Sequence, residues 1–462
     1  MPVHSGSSFN EKMLSLRRGP YTKRLGSLCS FGIQSRSRIT MSHSPITRRR
    51  LIGAAAAPAL LGAAPPRRPR IAAIASIYHK FAHAQHICDR FLIGYGWNGA
   101  HHKPEIDLVS LWVDQVKAND LSRSRAKEFP VMKVYPTIAE ALTLGTGKLA
   151  VDGVLLIGEH GEYPDNEKGQ KLYPRYEFFR EIVKVFDASG RGVPLFNDKH
   201  LSWKWEWARE MYDTSRRLGF PFMAGSSLPV TWRTPSIDMP YGAPVREALC
   251  VFGGWIDGGD IHAFETLQCM SERRQGGESG VRSVQAYRGE NFWKALEKGV
   301  WSQALMEAAM CRSHMLKPTR KGSNNDFPSL DAMKRMSENP YAYVVEHLDG
   351  LRSAIVALPG VVGDFCFAAR IDGRKEPLST QMYLPMPPAQ TTLANFFSPQ
   401  VNNLEKMFLT GKPSYPVERT LLTTGLTAAG VESLYQQEKL IKTPHLESVA
   451  YAAPKESTFW RT

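Results

Sequence analysis

The sequence predicts an α/β protein in two parts, a doubly wound parallel sheet followed by an α+β domain on an open-faced sheet. Three observations predict it. Short apolar runs alternate with helical stretches from 71 to about 225, the signature of successive βαβ units. Beyond about 226, extended segments are separated by fewer and longer helical stretches. The chain is also long enough, at 462 residues, for two or three domains.

The elements follow in order. Residues 71–77, Ile-Ala-Ala-Ile-Ala-Ser-Ile, are apolar throughout and of strand length, as a strand buried on both faces requires. A helix follows through Ile87 and Phe91, and 108–113 form a second strand that ends at Asp114. Helices are expected over 122–129 and over 137–142, the latter capped by Thr137. Residues 151–158 read as a buried strand ending in glycine, 178–186 as a helix, and 193–196 as a strand running into Asn197-Asp198-Lys199-His200. Ser202 is the expected cap of a helix with Trp203, Trp207 and Met211 on one face. In the second part, strands are expected at 247–252 and 281–287, and helices at 262–274 and 292–315.

Charge is unevenly placed. Of the net +14, residues 1–70 carry +12, from thirteen Lys and Arg against the single acid Glu11, so the remainder carries only +2. A body this close to neutral excludes a phosphate-neutralising surface and with it nucleic-acid binding. Thr47-Arg48-Arg49-Arg50 precedes a short Ala-rich run ending near Ala64. A basic start, a weakly apolar stretch and small residues at the end make an export signal, expected over about 41–64, whose paired arginines resemble the twin-arginine type. The expected location is periplasmic, with membrane contact only through that signal. The apolar run is too short to span a bilayer, and Pro65 to Arg70 read as a solvated linker. Met41 offers an alternative start. The six cysteines form no CxxC pair or zinc spacing and are expected to be free and buried.

Four segments carry a resemblance. Residues 134–142 and then Val151-Asp152-Gly153-Val154-Leu155-Leu156-Ile157 are a short helix followed by a D-x-V apolar strand. Residues 193–200 end in Asp198-Lys199-His200, Gly253-Gly254 is followed by Asp257-Gly258-Gly259-Asp260-Ile261-His262, and Phe408-Leu409-Thr410-Gly411-Lys412-Pro413 stands late in the chain. In this order the segments resemble the Gfo/Idh/MocA family of sugar oxidoreductases, over about 71–442. The resemblance implies a Rossmann-like domain at 71–225, an open-sheet substrate and oligomerisation domain at 226–442, and a tail at 443–462. It further implies hydride transfer between NAD or NADP and a carbohydrate or cyclitol hydroxyl, in a homo-oligomer. Lys199 matches the family's lysine at cofactor and substrate, and His262 its acid/base histidine, with Asp257 or Asp260 orienting that histidine or binding a hydroxyl.

The departures concern the dinucleotide. Ala75 and Ile77 stand where the first two glycines of G-x-G-x-x-G belong, followed by Tyr78-His79-Lys80, so Lys80 or His79 is left to hold a phosphate. Asp114 ends the second strand as the ribose acid should, though farther along the chain than usual. Bottom-up, a lysine at the carboxyl end of a parallel strand points into the crevice where such sheets bind ligands, and a histidine titrates near neutrality, as acid–base work needs. Glu159, His160 and Glu162, between Gly158 and Pro164, form a polar cluster directly after a strand, suited to nicotinamide or hydroxyl contacts. His200 and Glu265 complete the substrate-binding set.

A rival arrangement uses the same residues. Loop acids and histidines, with His160, His200 and His262 foremost, converge on a divalent metal, or the fold binds sugar without a cofactor for lyase or hydrolase chemistry. His79, His83 and His86 share a helical face and are assigned to the surface or the crevice. No tryptophan is assigned a role.

Overall fold

The structure is a computed structural model that describes residues 67–459. The expected export signal, Cys29 and the last three residues lie outside that range. Arg67 and Arg68 pair with Asp152 and Asp107, both at 2.9 Å, so the end of the expected linker is tied to the starts of two inner strands. Strand β1 (Arg70–Ile77) follows, then α1 (His83–Leu92), β2 (Asp107–Gln115), α2 (Ser122–Glu128), β3 (Lys133–Val134), α3 (Ile138–Thr143), β4 (Gly153–Ile157), α4 (Arg175–Ser189), β5 (Leu195–Asp198), α5 (Trp205–Leu218) and β6 (Phe222–Gly225).

These six strands are parallel and lie in the order β3-β2-β1-β4-β5-β6. That is the Rossmann order, with its topological switch between β1 and β4. The apolar runs alternate faces: Ala72, Ile74, Val154 and Leu156 enter one layer, Ile71, Ala73, Leu155 and Ile157 the other. Both layers are covered, which is why these strands read as unbroken apolar runs. Thr137 caps α3 as expected, accepting from the Glu140 N–H at 3.1 Å, a contact worth about 1 kcal/mol. Ser202 does not cap α5. Its hydroxyl takes the Lys204 N–H at 3.2 Å within the turn, and the helix starts at Trp205.

The second sheet is built from β7 (Arg233–Thr234), β8 (Val245–Phe252), β9 (Val281–Arg288), β10 (Tyr341–His347), β11 (Arg352–Ala357), β12 (Phe365–Ile371), β13 (Leu378–Met382) and β14 (Ile441–Lys442). Its order is β14-β9-β10-β11-β8-β12-β13-β7. Only β8 and β11 run parallel; the other neighbours are antiparallel. Helix α6 (Asp260–Ser271) begins two residues before its expected start. The expected 292–315 helix is two helices, α7 (Glu290–Glu297) and α8 (Gln303–Met310), because Gly299 turns the chain at φ +70°.

The two faces of this sheet are both used. Ala248, Cys250, Phe252 and Ile355 join Phe264 and Leu267 of α6 in a cluster that also contains Ala208 and Met211 of α5, so one apolar core runs through both sheets. Leu249, Val251, Ala354, Val356 and Ala368 face the other way, against Phe292, Trp301, Leu305, Met306 and Met333 of the 290–336 segment, which includes α9 (Leu330–Met336). That face is covered over β8, β11 and β12. Helix α10 (Phe397–Thr410) returns to the first sheet, where Phe397, Val401, Leu404 and Met407 pack with Ile71 and Ala73. Helix α11 (Glu418–Tyr435) lies over the second sheet through Leu422, Leu426 and Ala429. The expected tail is packed as well: Tyr451 exchanges backbone hydrogen bonds with Glu278, and Leu446 and Val449 are buried.

The five described cysteines are free, four of them buried and Cys311 exposed. Among the described residues, no helix is long and apolar enough to cross a membrane.

Candidate functional site

Four connections converge where the carboxyl ends of β1, β4 and β5 meet the start of α6. Each carries a non-glycine residue in the left-handed region: Phe81 (φ +70°), His160 (+67°), Lys199 (+63°) and Asp257 (+65°). Such backbone costs about 1–3 kcal/mol and persists only where surrounding contacts impose it. Here those contacts are a buried charge network.

Glu159, just beyond β4, is at its centre. Its carboxylate accepts from Lys199 Nζ at 3.0 Å and from the Arg175 guanidinium. Burial opposes the charge of Glu159, yet Lys199 and Arg175 together hold its carboxyl well below the usual range. Lys199 is 1% exposed, donates also to the Gly258 carbonyl at 3.0 Å, and lies 5.1 Å from the Trp255 ring centroid. That indole is 61% exposed at the mouth of the crevice. It rests on Gly258, where a Cβ would come within 2.7 Å of the indole, and Gly259 packs against the Trp255 carbonyl and Cβ, at 2.7 and 2.8 Å from where its own Cβ would be. Ser76 near the end of β1 donates to the Glu159 carbonyl at 2.8 Å and draws the loop across that strand.

Three of the crevice histidines are pushed down. Burial lowers His160 to about 4, with His83 adding to the effect, and lowers His200, with Arg175 adding to it. Burial likewise depresses His262, with Lys199 adding to it. His262 keeps partial solvent access, edge-on to Phe365 at 5.7 Å. The acids move oppositely. Burial raises Asp257 to about 6 and Asp260 to about 7. Neither holds His262. Asp260 accepts from the Tyr341 and Tyr343 hydroxyls at 2.7 and 3.1 Å and from the Asp257 N–H at 2.8 Å, while Asp257 accepts from Gln170 at 3.3 Å. Glu265 lies outside the crevice: it accepts the Ser226 N–H beyond β6, packed against Gly225, and burial raises it to about 7.

Four buried polar atoms in the crevice have no hydrogen-bond partner: His160 Nε2, Asp198 Oδ1, His200 Nδ1 and His262 Nδ1. Each orphaned group costs roughly 1–3 kcal/mol unless something fills it. They suit the polar, nicotinamide end of a dinucleotide and a hydroxyl-rich ligand beside it.

The adenosine end is built differently. Ala75 and Ile77 are not in the turn after β1; both are inside the strand, buried, and paired with Val113 and Gln115 of β2. The turn is Tyr78 to Ala82, without glycine, and the Tyr78 hydroxyl is tied to Asp89 at 2.7 Å. Lys80 is exposed there. Asp114 accepts the Tyr163 hydroxyl at 2.7 Å, Gln115 exchanges two hydrogen bonds with the Glu162 backbone, and Lys117 pairs with the Glu162 side chain at 2.5 Å. Residues 158–164 thus form a strap from β4 over β1 to the end of β2. Its side-chain ties are exposed and individually worth about 1 kcal/mol or less. Lys80 and Asp114 are the side chains at this end that would hold a dinucleotide, and Asp114 is engaged by Tyr163.

Among the described residues, no three His, Cys, Asp or Glu side chains are placed to hold a metal ion. His160, His200 and His262 do not form the metal set considered from sequence. Three participants carried little sequence signal. Arg175 is an arginine at a helix start, His83 was one of several histidines on a helical face, and Trp255 was one of ten tryptophans. Buried partners distinguish them, and those come only from the fold.

No protein-family model matches this chain, and no curated protein matches it in sequence. Among solved structures it is similar to GenD2 from gentamicin A biosynthesis in complex with NAD, with a TM-score of 0.49 and 12% identity over 81% of this chain and 96% of that one. It is also similar to myo-inositol 2-dehydrogenase from Lactobacillus plantarum (TM-score 0.47, 12% identity, 81% and 99% covered). A third is apo scyllo-inositol dehydrogenase from Lactobacillus casei (TM-score 0.49, 11% identity, 81% and 98% covered). These are likenesses of fold.

Proposed function

We propose that this chain is an oxidoreductase of the Gfo/Idh/MocA type, acting on a carbohydrate or cyclitol hydroxyl with NAD or NADP. The observation that carries the reading is the set of unpartnered buried atoms, His160 Nε2, Asp198 Oδ1, His200 Nδ1 and His262 Nδ1, at the carboxyl ends of a sheet in Rossmann order. A polyol offers donors and acceptors in alternation and satisfies such a set, and the exposed Trp255 face suits a sugar ring.

When bound, the dinucleotide supplies the hydride acceptor. The chain's own residues supply the rest. Lys199, fixed between Glu159 and the Gly258 carbonyl, holds a positive charge where a hydroxyl loses its proton. His262 stands at that hydroxyl, and a neutral imidazole of the crevice accepts the proton. Export by the twin-arginine route belongs to the same proposal and rests on Arg48 and Arg49 before the Ala-rich run. An Arg48→Lys, Arg49→Lys double variant then stays in the cytoplasmic fraction.

A redox-neutral second reading, a lyase or hydrolase on the same crevice without a cofactor, is favoured by the glycine-free turn and the Tyr163–Asp114 contact. Native mass spectrometry with added NAD or NADP separates the two. Uptake of a dinucleotide, followed by nicotinamide reduction with a cyclitol that Lys199→Met and His262→Ala abolish, supports hydride transfer. If neither the native chain nor Tyr163→Phe takes up a dinucleotide, hydride transfer is excluded and the redox-neutral reading stands.

A further inference from the structure

His83 and Asp198 form a second acid–base unit in the crevice. His83 is the first residue of α1, and its Nδ1 lies 2.6 Å from Asp198 Oδ2. Asp198, the last residue of β5, is completely buried, while the His83 side chain keeps 14% of its exposure. The remaining ring nitrogen of His83 makes no hydrogen bond among the described residues. The ring is oriented on two sides, edge-on to His160 at 5.0 Å and to Phe397 of α10 at 5.0 Å.

A carboxylate on Nδ1 fixes the tautomer. The proton stays on Nδ1 and the lone pair is presented at Nε2, the arrangement a general base needs. His262 has no such partner, since Asp257 and Asp260 are engaged elsewhere. The other histidines nearby are worse placed. His200 lies against Arg175, with Asp257 at 3.7 Å and beyond hydrogen-bond distance, and His160 Nε2 has no partner.

We propose that His83 is the general base of the crevice and that Asp198 is its positioning residue. The substrate O–H bond breaks, an N–H bond forms at His83 Nε2, and the Asp198 carboxylate offsets the charge of the imidazolium. The part of the His83 ring that stays exposed, 14% of the side chain, then returns the proton to water. The proposal deepens the preceding reading and rests on it only for the identity of the hydroxyl. The titratable groups facing His83 are His86 of α1, Glu159 and His160 beyond β4, Asp198 at the end of β5 and His262 of α6, with His79 of the turn against His160 and Lys199, just after β5, against Glu159. Helix α10 presents the apolar Phe397.

The test begins with the ligand-free full chain, by nitrogen NMR of its histidine rings, with His83 assigned through a His83→Gln variant. The expected result is an Nδ1–H tautomer whose Nε2 titrates, with Asp198→Asn mixing the tautomers and lowering the titration midpoint. An Nε2–H tautomer, or a midpoint unmoved in Asp198→Asn, overturns the proposal. In turnover with a cyclitol and NAD, His83→Gln lowers kcat by roughly 10²–10⁴-fold, with KM changed less than about threefold. Added imidazole partly restores a His83→Gly variant. The acid limb of the kcat profile moves to lower pH in Asp198→Asn. A His83→Gln enzyme with full kcat overturns the proposal. The expected tautomer in a chain that binds no dinucleotide supports the dyad and excludes only the hydride-transfer reading.

Discussion

Two buried carboxylates, Glu159 and Glu278, show how a charge cluster built for a ligand differs from one built for stability. Glu278 is fully satisfied within the chain. It accepts from Gln268 at 2.7 Å, Arg274 at 3.1 and 3.3 Å, His347 at 3.1 Å, and the Ser279 and Gly280 N–H groups at 3.0 and 2.9 Å. Burial opposes its charge, but His347 and Arg274 hold it far below the usual carboxylate range. Glu159 has two partners, Lys199 and Arg175, and around it stand four polar atoms with none. A cluster that needs nothing more is structural. One that leaves donors and acceptors open around a fixed lysine, on strained backbone, is waiting for something polar.

The largest test of this contrast is Glu278→Ala. It removes the buried carboxylate that Arg274 and His347 share, leaves Arg274 with Asp349 as its one acidic partner, and is expected to cost about 3–5 kcal/mol, read as a lower denaturation midpoint in urea. Ligand affinity per folded molecule stays unchanged. A loss below about 1 kcal/mol would break the comparison at its structural end.

The next largest concerns pH. Burial raises Asp260 to about 7, so the folded chain retains a proton that the unfolded chain releases near pH 4. Its contribution is fully present below about pH 4 and is lost as pH rises towards 7. Asp260→Asn should remove that fall, a difference on the order of 3 kcal/mol across the window. Urea midpoints of both proteins at a series of pH values measure it, and parallel curves would show Asp260 to be ionised in the folded state. Glu159, with its carboxyl held low, works in the opposite direction and cancels when the two proteins are subtracted.

Trp255→Ala sharpens the contrast at the open end. An exposed indole contributes little to folding, but as a stacking face it should add about 0.5–1.5 kcal/mol to sugar binding, hence roughly a two- to tenfold rise in KM. An unchanged KM would remove it from the substrate site. Smallest is Tyr163→Phe, which frees Asp114 from one exposed contact. Dinucleotide affinity should rise by about two- to fivefold, equivalent to less than about 1 kcal/mol, as read by calorimetry. A fall in affinity would mean that the strap contacts the cofactor rather than covering its place.

Much of the frame was legible in the sequence, and particular residues show why. The runs at Ile71 and Val154 are apolar on both faces because helices cover both sides of their sheet, and that pattern needs no partner to be read. Thr137 before Ile138 is a cap by local geometry alone. Lys199, Glu159 and His262 could be placed at strand and helix ends, and the fold gathers them in one crevice. Other readings required contacts that sequence does not carry. Ala75 and Ile77 belong to the strand because β1 pairs with β2 two residues beyond the point where a glycine turn would start. Glu265 shares a helix with His262, yet its carboxylate meets Ser226 beyond β6. The helix expected at 292–315 is two because Gly299 turns the chain between them.

By itself the sequence determined the alternation of strand and helix, the division of charge between the first 70 residues and the rest, and which strand ends carry ionisable side chains. Those properties are local: hydrophobic period, capping and composition act within a few residues. The tertiary structure alone decided which of those side chains share a low-dielectric space. It paired Lys199 with Glu159 across 40 residues and His83 with Asp198 across 115, and it left His262 without a carboxylate. Protonation state and tautomer follow from burial and from the neighbour within about 3 Å, and both are properties of the packed chain.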